Sequence, residues 1–252
     1  MTTKPLILNF AKGSWYGRGQ QRLLRSLEAI DGKTKYDVWA VDDESRVENC
    51  PAHSDAPYAF KAAMFTKAYA VGYRGPALWL DAAMFACRPL QPVFDHITST
   101  GHLLISNGIV GQWASDAALA SFGVDRDTAM NIVECMGCCL GLDLSNALAV
   151  EFLRRWREKS LDGVTFPGSW TNDQGQVSKD PRCRGHRHDQ TAASLVSWQL
   201  GLPRVIGHEV QHAGGVGLFQ YFENKARTPW VEGAANDMSK IGSGVCLMNQ
   251  GL

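Results

Sequence analysis

Residues 77–85 read ALWLDAAMF, an apolar run broken once by a carboxylate. Ionised carboxylates are almost never buried without a partner, because desolvation costs several kcal/mol, so Asp81 either ends a strand at the surface or meets a cation. HRHDQ (186–190) is a second concentration of polar groups. Asp189 is a preferred residue type for capping the apolar helical stretch that follows it, but capping does not explain Gln190 and His188 at its side. Gly13, Gly17 and Gly19 in AKGSWYGRGQQR suggest a loop that approaches phosphate, although Arg22 breaks the GxGxxG spacing, so a dinucleotide site of the Rossmann kind is not supported. CMGCC (135–139) contains a CxxC spacing, with Cys183, His186 and His188 further along. Adjacent Cys138 and Cys139 in an apolar strand point to opposite faces and cannot share a zinc ion, so buried free thiols are the better account. A serine nucleophile elbow, GxSxG, is absent, although GSGVC (242–246) superficially invites it.

These groups need a scaffold, and composition limits which one. The 252 residues are 45% hydrophobic, enough for a full core in one domain. Twenty-five basic and 25 acidic side chains cancel, so no net field favours nucleic acid, which is neither supported nor excluded as a partner. No stretch reaches the roughly 18 apolar residues of a membrane helix, and the apolar run near the N-terminus is too short for a signal sequence. Seven cysteines, an odd number in a chain too long to need disulfide staples, suit reduced thiols. The expectation is a soluble, cytoplasmic protein.

The pattern along the chain alternates short apolar runs with helical periods. Strands are expected at PLILNF (5–10), YDVWAVD (36–42) and ALWLD (77–81). Between them, 17–30 sets Leu23, Leu24, Leu27 and Ile30 on one helical face, and 58–73 sets out Phe60, Met64, Ala68 and Val71 before Gly72 and Gly75 stop the helix. That β-α-β-α-β order requires crossovers and hence parallel strands, whose ligands bind beyond the carboxyl ends, where Asp42, Asp43 and Asp81 lie. Further on come a buried strand at 136–144, a helix at 146–160 with Leu148, Phe152 and Trp156 inward, a polar loop at 161–187, a helix at 188–202 and a last strand, PRVIGH. A long polar loop inside a compact domain is often functional.

Taken together, LILNF, YDVWAVD, the Lys-bearing helix running into ALWLDAAMF, GHRHDQTAASLV and the His-rich C-terminal segment resemble nucleotide-sugar glycosyltransferases of the GT-A fold. The resemblance implies an α/β single domain over 1–252, a mostly parallel central sheet flanked by helices, with a half-Rossmann nucleotide-binding half (1–110) and an acceptor- and sugar-binding half (111–252). It implies transfer of a sugar from a nucleotide diphosphate-sugar, a UDP-sugar being favoured, to a hydroxyl acceptor: a glycan, a small molecule or a hydroxylated nucleobase. Asp81 then stands first in an Asp-X-Asp element that holds Mn²⁺ or Mg²⁺ on the diphosphate, but Ala83 replaces the second acid. His212, before GGVG, is the other implied metal ligand, with His208 near it, and KARTPW (225–230) matches the family's basic-Pro-Trp segment only loosely. Asp189 and Gln190 are implied to lie under the sugar, Asp189 either as general base or as a contact that orients hydroxyls. Should Asp189 prove a cap, Asp143 and Glu134 are the next candidates for the base. Trp15 or Tyr16 would stack on the base, Asp42 or Asp43 accept from base or ribose, and Lys61, rather than Lys67, reach the nucleotide or phosphates.

Physically, the leaving diphosphate gains negative charge as the sugar carbon becomes oxocarbenium-like, which calls for a hard cation or a Lys/Arg clamp. Two other readings fit the same platform. One is a nucleotidyltransferase or other nucleotide-sugar enzyme; the other is a non-catalytic binding module, suggested by the missing acid at Ala83.

Overall fold

The computed structural model describes residues 3–205, together with the backbone of two short strands at 219–221 and 247–249. The three expected N-terminal strands form: β1 (Leu6–Phe10), β2 (Asp37–Val41) and β3 (Pro76–Leu80), joined by helices α1 (Gly13–Asp31) and α2 (Phe60–Ala70). They pair in parallel in the order β2-β1-β3. After β4 (Met84–Ala86) and α3 (Gln91–Thr100), β5 (His102–Ile109) takes the far edge of the sheet, and β6 (Val133–Asp143) fills the gap. Since β6 is antiparallel to both its neighbours, four of the five strands run one way and β6 alone runs against them.

The sheet is covered on both sides because alternate residues face opposite layers. Leu6, Leu8, Phe10, Ala77 and Trp79 face one core with Phe65, Phe152 and Trp156; Ile7, Leu78 and Leu80 face the other with Leu23, Leu27, Phe94 and Ile97. The first layer holds α2, α6 (Ala147–Leu161) and α7 (His188–Gln199); the second holds α1 and α3. Two short helices, α4 (Asp116–Ser121) and α5 (Arg126–Ala129), precede β6 and build a small satellite core with Leu195 of α7.

Several sequence expectations need correction. Gly13, Gly17 and Gly19 do not form a phosphate loop: all lie within α1, which begins only two residues after β1. Leu148 is exposed, because the inward stripe of α6 is Ala149, Phe152, Leu153, Trp156 and Ser160, to which Leu148 is set off by one residue. Val71 lies past the end of α2 and is exposed. Strands β4 and β5 and helix α3 are additions to the expected elements. Of PRVIGH, Val205 makes a single parallel bridge to Ile105, and the remainder lies outside the described residues. The loop at 161–187 contains a single 3-10 turn, Asp173–Gly175. A second sheet, β4-β8-β7, joins β4 to β7 (Phe219–Tyr221) and β8 (Leu247–Asn249).

Candidate active site

The carboxyl ends of β1 and β3 open into two adjoining hollows. The larger, about 370 Å³, is lined by Phe10, Ala11, Lys12, Tyr16, Glu44, His53, Tyr58, Phe60 and residues 81–83. The smaller, about 230 Å³, is lined by Tyr58, Lys61, Asp81, Asn107, residues 136–138, Trp170, Arg187, Asp189 and Gln190. Tyr58 and Asp81 belong to both, so they stand at the junction.

Asp81 follows the last residue of β3. Its backbone N–H donates to the Cys138 carbonyl at 2.9 Å, continuing the β3–β6 ladder by one step, and its Oδ1 accepts from Trp79 Nε1 at 2.6 Å. The cation this acid required is Lys61. Helix α2 is buried on almost every side, so a lysine in its first turn cannot reach water and must find its partners inside. Lys61 Nζ lies 3.3 Å from Asp81 Oδ1 and 3.0 Å from Asp189 Oδ2, and donates to the Gly137 carbonyl at 2.8 Å. The Tyr58 and Trp79 rings face it at 5.1 and 5.7 Å. Burial alone pulls the ammonium down, but the two carboxylates outweigh it and hold Lys61 above the ordinary lysine value.

Asp189 sits one residue inside α7 and caps nothing: Arg187 is the N-cap position, without a side-chain cap bond. The side chain is turned inward and is 6% exposed. Burial pushes it up to about 6, with Lys61 opposing the rise. Gln190 beside it accepts the Gly137 N–H on Oε1 at 3.0 Å. These contacts depend on a missing side chain: a Cβ on Gly137 would come within 3.1 Å of Gln190 Oε1 and 3.4 Å of Asp189 Oδ2. Glu134, also buried, faces Gln190; burial pushes its carboxyl up to about 8, so it is protonated at neutral pH.

The opposite wall is aromatic. The Arg187 guanidinium lies between two indoles, 3.7 Å from the Trp113 centroid and 4.4 Å from that of Trp170. Trp170 reaches this place because Gly185 lets two backbone segments touch; a Cβ there would lie 1.9 Å from the Trp170 carbonyl oxygen. His188 and Tyr58, ring centroids 5.8 Å apart, both have left-handed backbone, φ 45° and 65°. Tyr58 lines both hollows and His188 is buried behind it, and paired strained non-glycine residues beside a cleft are a feature of functional sites. His188 donates from Nδ1 to the Phe166 carbonyl at 2.8 Å, and burial pulls it down to about 4, so its buried Nε2 carries a lone pair with no hydrogen-bond partner among the described residues.

Of the residues singled out from sequence, the cleft therefore brings together Asp81, Lys61, Asp189, Gln190 and Tyr16. Trp15 does not line it and is half-exposed beside Arg18. Asp42 pairs with Arg46 on the surface, Asp43 caps the 3-10 turn at 44–46, and Glu44 faces the larger hollow instead. Lys67 points away, to the Arg46 carbonyl. Asp143 accepts from Ser145 at the other end of β6. His208, His212 and KARTPW lie outside the described residues. Tyr58, Arg187 and Trp170 were missed; the signal for the last two was the polar loop at 161–187, which ends in the cleft.

The residues described do not compose a metal centre. Asp81 Oδ1 is already engaged by Trp79 and Lys61, Ala83 offers no oxygen donor from its side chain, and no group of three or more His, Cys, Asp or Glu side chains is placed to share an ion.

No family model matches the chain, and no curated protein is similar to it. Solved structures are. A galactosyltransferase, LgtC, crystallised with donor and acceptor sugar analogs, superposes with a TM-score of 0.51 at 11% identity, over 97% of this chain and 86% of that one. A bifunctional glycosyltransferase, WbbM, gives 0.53 at 8% identity over the whole of this chain, which spans 46% of that protein. Mouse xyloside xylosyltransferase 1 gives 0.47 at 9% identity, covering 96% of both chains. At such identities the likeness is one of fold.

Proposed function

Because the chain has the GT-A fold of glycosyltransferases, we propose that its cleft moves a sugar from a nucleotide diphosphate-sugar to a hydroxyl acceptor. The observation that carries this reading is the junction at Asp81. A larger, aromatic-lined hollow of a size for a nucleoside opens there into a smaller one whose wall holds a buried carboxylate poised near pH 6.

The larger hollow is lined wholly from the first 110 residues and the smaller from both halves, which supports assigning 1–110 to the nucleotide and 111–252 chiefly to sugar and acceptor. Tyr16, Phe60 and Tyr58 offer faces for a base, with Lys12 and Glu44 as a charged pair 3.6 Å apart for its edge or for the ribose. The UDP-sugar is our preferred donor, and a hexose its preferred sugar.

In the transfer step the acceptor oxygen bonds to the anomeric carbon, the bond from that carbon to the phosphate oxygen breaks, and its electron pair leaves on the diphosphate. Asp189 takes the acceptor's proton; its raised value makes it a better match to a neutral-pH proton transfer than an ordinary Asp. Lys61 fixes the carboxylate, and Gln190, held by the Gly137 N–H, presents its amide to the sugar. Among the residues lining the two hollows, the cations are Lys12, Lys61 and Arg187. No step is assigned to Mn²⁺ or Mg²⁺, since the described donor set does not fit one.

Among the described residues no helix is long and apolar enough to cross a membrane, and the thiol content suits a cytoplasmic setting, which we propose for the chain. Mass spectrometry of ligand retained from a mixture of UDP- and GDP-sugars, followed by assay of the retained donor with hydroxyl acceptors, tests the reading. Retention without turnover would favour a binding module, and release of sugar 1-phosphate in place of nucleoside diphosphate a nucleotidyltransferase.

A further inference from the structure

Three oxygens of different elements converge on one point in the interior: Asp81 Oδ1 after β3, Asp189 Oδ2 in α7 and the Gly137 carbonyl in β6, at 3.3, 3.0 and 2.8 Å. The point is occupied by the Lys61 ammonium, whose side chain is 4% exposed. Two carboxylates and a carbonyl gathered at one position make a cation site of hard oxygen donors. We infer that Lys61 is a covalently attached substitute for a metal ion: its ammonium fills a site whose oxygens would otherwise bind a divalent cation, and the chain free of nucleotide has no strong divalent site there. The inference concerns the ion-binding state of the chain and does not rest on the proposed sugar transfer.

Three features support it. The ammonium supplies positive charge where it is needed: Asp189 is buried and Asp81 is 32% exposed, and one lysine shared between them offsets the buried carboxylate and attracts the second without an ion from solution. Asp81 is further committed by the Trp79 indole N–H at 2.6 Å on the same Oδ1, which a metal bound to that oxygen would have to displace or tolerate. Finally, the residue two after Asp81 is Ala83, whose carbonyl accepts from Arg22 at 2.7 Å; the turn offers the hollow no second carboxylate. A divalent ion that assists a diphosphate would then have to arrive with it.

The test is Mn²⁺ binding to the nucleotide-free chain, read directly from the loss of the free-ion electron paramagnetic resonance signal. Parent, Lys61→Ala, Lys61→Met and the double variant Lys61→Ala with Asp189→Asn are compared, with circular dichroism checking the fold. The expected result is negligible binding by the parent. Lys61→Ala should bind one ion at least about tenfold more tightly, and the double variant should lose the gain. Tight stoichiometric binding by the parent overturns the inference, as does a folded Lys61→Ala that binds no better than the parent. Should both single variants unfold, recovery of the fold by Mn²⁺ or by ethylammonium supports a cation site, and failure of both to restore it overturns the inference.

Discussion

Lys61 Nζ and Asp189 Oδ2 lie 3.0 Å apart with both side chains almost wholly out of solvent, 4% and 6% exposed, and they join the second crossover helix, α2, to the last described helix, α7. A contact across 128 positions of sequence thus closes the two sides of the cleft on each other. Breaking a buried ion pair by removing one partner leaves an uncompensated charge and costs about 3–5 kcal/mol. Lys61→Met should therefore lower the unfolding free energy measured by urea denaturation by such an amount, and Lys61→Met combined with Asp189→Asn should be less damaging than the sum of the single changes. Additive losses would mean that the two groups do not interact.

Asp189→Asn separates proton transfer from geometry. The amide keeps the shape and leaves Lys61 its Asp81 and Gly137 partners, but it takes no proton, so transfer should fall by about two orders of magnitude or more. The parent rate should rise with pH through about 6, as Asp189 loses its proton, and this limb should vanish in the variant. A preserved acidic limb would assign it to another group.

Glu134 links stability to pH in a direction opposite to that of an ordinary paired carboxylate. Its folded value, about 8, lies above the unfolded 4.5, so the folded state holds the proton more tightly. The resulting stability is complete below about 4.5 and is lost as pH rises through about 8, at about 1.4 kcal/mol for each pH unit between the two values. The groups facing it are Gln190, Arg187, Asp189 and Arg204; burial drives the rise, the Gln190 hydrogen bond and the two arginines oppose it, and Asp189 adds to it. Glu134→Gln should be more stable than the parent at pH 9 and no better at pH 5, measured by chemical denaturation. Equal slopes of stability against pH in the two proteins would show Glu134 to ionise normally.

Two glycines predict opposite phenotypes. Gly185→Ala places a methyl against the Trp170 backbone, where nothing flexible can yield, and should destabilise the chain by several kcal/mol while freeing Trp170 from Arg187. Gly137→Ala meets the ends of the Gln190 and Asp189 side chains, which can shift by a few tenths of an ångström. Its melting temperature should stay near the parent's while transfer falls by about tenfold or more through misplacement of those groups. Parental transfer by Gly137→Ala would remove that contact from the site.

Asp81→Asn keeps an acceptor for the Trp79 indole but removes one of the two charges on Lys61. If Asp81 also contacts the donor, nucleotide-sugar affinity should fall by roughly 1.5–3 kcal/mol, the worth of a charge-assisted hydrogen bond. Calorimetry with unchanged affinity would restrict Asp81 to holding Lys61.

The sequence by itself determined the layered architecture and the level at which the cleft lies. Alternation in LILNF and ALWLD and the helical periods between them are local properties, and a right-twisted β-α-β-α-β order leaves few arrangements other than parallel strands with their ligand edge at Asp81. It also marked the acid that needed a cation. What it could not determine was which cation, because Lys61 sits in a helix of almost no amphipathic contrast, where period does not tell an inward face from an outward one. Only the packing of α2 between β1, α6 and the strand ends turned that lysine inward, and only the antiparallel insertion of β6 brought the Gly137 carbonyl and, behind it, Asp189 to the same point. The role of Asp189 followed similarly: its place near the start of a helix permits a cap, and a buried lysine from a distant helix drew the carboxylate inward. Desolvation set that outcome, since the buried Asp189 carboxylate and the buried Lys61 ammonium are stable only together, with the half-buried Asp81 as the lysine's second partner.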